Sequence, residues 1–91
     1  MYELTVGQRD DGAFDVEVRA AGSVTRHVVT VPEGLATELG VAGTDPAELV
    51  RRSFEFLLER EPPSSILRSF SLEVIERYFP EYRAVVSARL I

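Results

Sequence analysis

Ninety-one residues carrying 45% hydrophobic and 27% charged side chains make one folded domain, not a disordered tail. No run of eighteen apolar residues exists to span a bilayer, and the lack of cysteine removes disulfides, thiolate nucleophiles and cysteine-ligated metals together. The formal charge of −5 opposes a phosphate backbone, so nucleic acid is a disfavoured partner; all ten positive charges are arginine.

No basic stretch followed by an apolar core comes after Met1, so the sequence predicts no secretory signal and a cytoplasmic protein. Tyr2, Leu4 and Val6 alternate with Glu3 and Thr5, and Phe14, Val16 and Val18 alternate with Asp15, Glu17 and Arg19. Period two marks half-buried strands. Between them, Asp10-Asp11-Gly12 predicts a three-residue hairpin loop with Gly12 left-handed. That loop sets Val6 opposite Val16 and Leu4 opposite Val18, whereas a two-residue turn would mismatch the faces. A third strand is expected over 24–31, entered through a Gly22-Ser23 turn. This register sets Val29 beside Val16, Val31 beside Phe14 and His27 beside Val18.

The remainder reads as helical. Residues 32–40 suggest a short helix closed by Gly40, with 43–44 as linker. Asp45 is a strong N-cap, Pro46 suits the first helical position, and Glu48 completes a capping box. The helix must stop before Pro62-Pro63, giving a span of 45–61. Its apolar positions cover roughly 200° of the wheel, twice the stripe that a single contact needs. The helix is therefore expected to touch both the sheet and something else, either the C-terminal segment or another subunit. Ser71 is expected to cap a further helix over 72–79, with Phe70 and Ile75 as a hydrophobic staple. The tail, 83–91, is left open between a fourth strand, a helix and an arm. The fold class is thus α+β: an antiparallel meander of three or four strands against one long and one or two short helices.

Residues 53–82, SFEFLLEREPPSSILRSFSLEVIERYFPEY, resemble a recurring C-terminal segment of small uncharacterised bacterial proteins, and the resemblance implies kinship without an activity. Asp10-Asp11-Gly12-Ala13-Phe14 and Gly43-Thr44-Asp45 are similar in kind to HicB-type antitoxin domains, which implies a nucleic-acid-associated regulator. This chain lacks the usual connection after the third strand, and its C-terminal third has no counterpart there.

His27 is the lone histidine, and no serine or second base can be set beside it from sequence, so it reads as a strand residue. Asp10, Asp11 and Asp15 lack the spacing of a calcium loop and read as turn acids. Ser64-Ser65 reads as a cap. No catalytic residue, cofactor or metal is predicted. Arg51, Arg52, Arg68 and Arg77 form a candidate anion patch, although Glu48, Glu55, Glu59 and Glu76 lie within helical pairing distance. Leu49, Phe56, Tyr78, Phe79 and Tyr82 form a candidate interface. The preferred expectation is a non-catalytic interaction or regulatory module with a protein partner or a second copy of itself. The alternatives are the antitoxin-type regulator and a small-ligand binder or enzyme with a carboxylate/arginine site.

Overall fold

The computed structural model describes residues 2–90. Strands β1 (Glu3–Gln8), β2 (Phe14–Ala20) and β3 (Ser23–Thr30) form the antiparallel meander, and β4 (Ser69–Ser71) joins β3 in parallel, in the order β1-β2-β3-β4. The helices are α1 (Leu35–Glu38), α2 (Pro46–Leu58), α3 (Ile75–Tyr78) and α4 (Tyr82–Leu90). The α+β class holds, but the sheet is mixed, and its fourth strand comes from residues just before α3 instead of from the tail.

The first hairpin has the expected register, with Val6 facing Val16 and Leu4 facing Val18. Gly12 takes a φ of 88°, its N–H donates to the Arg9 carbonyl at 3.1 Å, and Arg9 N–H donates to Ala13 at 2.7 Å. Asp11 Oδ1 accepts from Ala13 N–H at 3.0 Å, which is turn chemistry. The second hairpin differs from expectation. Its loop is Ala21-Gly22, with φ of 39° and 83°, so Ala20 faces Ser23, Val16 faces His27 and Phe14 faces Val29. Positive φ at both loop positions gives the turn that matches strand twist. The slide is two residues, so the same side chains still point inward, and alternation alone is blind to it.

Asp45 caps α2 by accepting from Ala47 N–H at 3.0 Å, with Pro46 at the first helical position. Glu48 turns to Arg52 instead of back to the cap, at 2.8 Å from its Nε. The helix ends at Leu58, three residues short of expectation, as Arg60 N–H tightens the final turn onto the Leu57 carbonyl. Ser71 makes no side-chain cap; residues 72–74 form one 3-10 turn before the four-residue α3.

The wide apolar arc of α2 is explained by what lies on each side. The Phe54 ring meets His27 and Phe70 of the sheet at 5.4 and 5.9 Å. Phe56, two residues on and so about 200° around the helix, meets Phe79 and Tyr82 edge-on at 5.9 and 5.5 Å. The second surface is the chain's own tail: α4 lies on α2 and buries Tyr82 and Val86, which are four residues apart on one helical face. Arg89 Nη2 donates to Glu59 Oε1 at 2.7 Å, and Arg60 Nε to Glu81 Oε2 at 3.1 Å, tying α4 to the end of α2 at two further points. The Glu59 carboxyl is held below the usual range by that Arg89 hydrogen bond. Among the described residues, no helix is long and apolar enough to cross a membrane.

Candidate interaction groove

Pro62-Pro63 prevent α2 from continuing, so the chain makes a single 3-10 turn at Pro63–Ser65 and runs extended into β4. The extended run is tied to β3 by Val28 N–H, which donates to the Arg68 carbonyl at 2.7 Å. A second tether is His27, only 3% exposed. Its Nδ1 lies 2.8 Å from the Leu67 carbonyl and its Nε2 lies 2.9 Å from Thr25 Oγ1. A carbonyl only accepts, so Nδ1–H is the donor to Leu67, and in the neutral ring Nε2 accepts from the Thr25 hydroxyl. Both ring nitrogens are thus spent on structure, and His27 acts as a strut between the sheet and this segment.

Pulling residues 62–71 against β3 leaves a groove of about 370 Å³ between the end of α2, that segment and α3. Leu57, Ile66 and Ile75 form its buried floor, with half-buried Phe70 and Phe79 as walls. Leu67 and Tyr78 stand on its rim, 52% and 68% exposed, the two most exposed large apolar side chains among the described residues. Glu61 is the one charged residue in the lining. The site is therefore an apolar slot with one carboxylate and one phenol at its mouth, suited to receiving an apolar side chain.

The five candidate interface residues separate. Tyr78 and Phe79 belong to the groove, whereas Leu49, Phe56 and Tyr82 are at most 1% exposed and lie in the core. Helix α4 folds back over α2 and takes Phe56 and Tyr82 into the core, whereas Leu49 is closed in beside Phe14 of β2 and Leu35 of α1. Leu67, Ile66 and Phe70 are not among the candidate interface residues: the sequence reads Phe70 as half of a helix staple, and nothing local distinguishes the outward Leu67 from the buried Ile66 beside it.

The four candidate anion-patch arginines also separate. Arg51 Nη1 donates to the Leu4 carbonyl at 3.2 Å, at the edge of the sheet. Arg52 lies between Glu48 and Glu55, at 2.8 and 2.9 Å, although its Nε–H is not aligned for a hydrogen bond to Glu48. Arg77 borders a different hollow, beside Glu73, Glu76 and Arg83, and Arg68 sits in the run leading into β4. Charge pairing, not a shared cationic surface, accounts for Arg52.

Tyr82 illustrates the core's chemistry. Burial pushes its phenol above the ordinary 10.0. The unfolded chain ionises first, so this contribution to stability is whole below pH 10.0 and declines as pH rises from there through the folded value. Urea midpoints followed into the alkaline range are expected to fall more steeply for the wild type than for Tyr82→Phe.

No protein-family model matches the chain, and neither a curated protein nor a solved structure matches it.

Proposed function

We propose that this chain is a non-catalytic interaction domain of the cytoplasm, and that its groove takes an apolar anchor from a protein partner with a positive charge beside that anchor. The observation that carries this reading is the placing of Tyr78 and Leu67, wide open to solvent, over a floor of Leu57, Ile66 and Ile75. An exposed tyrosine beside an apolar slot supplies contact area at little entropic cost, which suits a binding hot spot. Glu61 supplies the preference for a cation, since no other charge lines the slot.

Selection from a random-peptide display library tests this directly. Enriched peptides are expected to share a large apolar residue next to arginine or lysine. Tyr78→Ala is expected to weaken them about tenfold or more, in the range of an interface hot spot, and Glu61→Gln to relax the preference for the basic neighbour. Failure to enrich any sequence, or enriched peptides indifferent to Tyr78→Ala and Leu67→Ser, would remove the proposal.

A further inference from the structure

The opposite margin of the sheet carries a second surface. Strand order places β1 at one edge and β4, which contributes Phe70 to the groove, at the other. Antiparallel pairing alternates which residues spend their backbone groups on the neighbour. Arg9 N–H donates to Ala13, so Arg9, Gly7, Thr5 and Glu3 face β2, and Leu4, Val6 and Gln8 direct their N–H and carbonyl groups off the edge. The Leu4 carbonyl confirms that direction by accepting from Arg51 instead of from β2.

We infer that β1 pairs antiparallel with β1 of a second copy of this chain, with Val6 on the two-fold axis. Outward groups must meet outward groups, so Leu4 faces Gln8 of the second copy and Val6 faces Val6, each pair exchanging two hydrogen bonds. The Leu4 carbonyl retains a second lone pair for this while Arg51 occupies the first. The same register sets Glu3 against Arg9 of the second copy on the outer face, and by symmetry does so twice. Glu3 already faces Arg19 on β2, and Arg9 already donates to Asp15 at 3.1 Å. Joined, Arg19, Glu3, the second copy's Arg9 and its Asp15 make a row of alternating charge across four strands. Moving the axis to Thr5 sets Glu3 against Gly7 and loses this row, so charge complementarity selects the Val6 register. The half-buried Leu4 and Val6 extend the inner apolar face across the junction. The grooves lie at the far edges of the joined sheet and stay open, so the dimer offers two anchor sites to a bivalent partner.

Sedimentation equilibrium of the full chain at low salt tests the inference. A monomer–dimer equilibrium in the micromolar range is expected. Val6→Pro removes an edge donor while sparing every bond to β2, and is expected to abolish the dimer. Should that variant fold poorly, Glu3→Arg, at an exposed position, is expected to weaken the dimer about tenfold by placing like charges opposite each other. Adding Arg9→Glu to it is expected to restore association, because the pair is then merely exchanged. Tyr78→Ala is expected to leave the dimer intact, so the edge and the groove fail or survive separately. A monomer at every concentration, or a dimer untouched by the Glu3 and Arg9 changes, overturns the inference.

Discussion

Val86→Asp is expected to unfold the chain or bring it close to unfolding at room temperature. Val86 is wholly buried on the face that α4 presents to α2. The two arginines nearest it on α4, Arg83 and Arg89, are already held by Glu76 and Glu59, and an uncompensated buried charge costs about 3–5 kcal/mol. A domain of this size has about 5–10 kcal/mol in total. Ala84→Asp, two residues away on the exposed side, changes charge identically and is expected to shift the urea midpoint little. Equal effects at the two positions would mean that α4 does not dock as described.

Phe56→Ala carries the second large effect, at about 3–5 kcal/mol. Its ring is fully buried, meets Phe79 and Tyr82 edge-on, and lies 3.6 Å beneath the Arg60 guanidinium carbon. Removing it opens a cavity between α2 and α4 and takes away the aromatic face under Arg60. Phe56→Leu is expected to cost clearly less, since much of the volume remains. Chemical denaturation of the two variants against the wild type measures the difference. A Phe56→Ala protein as stable as the wild type would place that ring outside the core.

What the sequence made legible follows the physics of each signal. The first hairpin was fixed by parity and turn chemistry together: a two-residue turn puts Val6 and Val16 on opposite faces, and Asp10-Asp11-Gly12 suits a three-residue loop with Gly12 left-handed. The second hairpin slipped by two residues, because a two-residue slide preserves every inward face, and the preference for glycine at the first loop position pointed to Gly22-Ser23 whereas the chain turns at Ala21-Gly22 with Ala21 at a φ of 39°. Asp45-Pro46 announced α2 through local capping chemistry, and the excess apolar arc correctly required a second cover. The cover itself was not legible: in α4 only Tyr82 and Val86 are buried, too sparse a stripe to separate helix from strand in a valine- and leucine-rich tail. Strand β4 was invisible for a related reason. It is three residues long, parallel, and held partly by the His27 side chain forty positions earlier. The groove inherited that difficulty. Tyr78 and Phe79 stood out by aromatic density, but Ile66, Leu67 and Phe70 reach the site only through a long-range pairing that no local pattern encodes.

The claim on which the rest depends is that α4 of the same chain closes the second flank of α2, leaving the groove as the exposed apolar surface. Ser53 and Tyr82 meet at that seam, their oxygens 2.7 Å apart. Ser53 donates its hydroxyl proton to the Leu49 carbonyl at 2.8 Å, so the Tyr82 hydroxyl is the donor between the two. A double-mutant cycle of Ser53→Ala and Tyr82→Phe, measured by urea unfolding, reads this contact directly. A coupling of about 1 kcal/mol is expected for a buried hydrogen bond; strictly additive losses, with Tyr82→Phe as stable as the wild type, would contradict the seam.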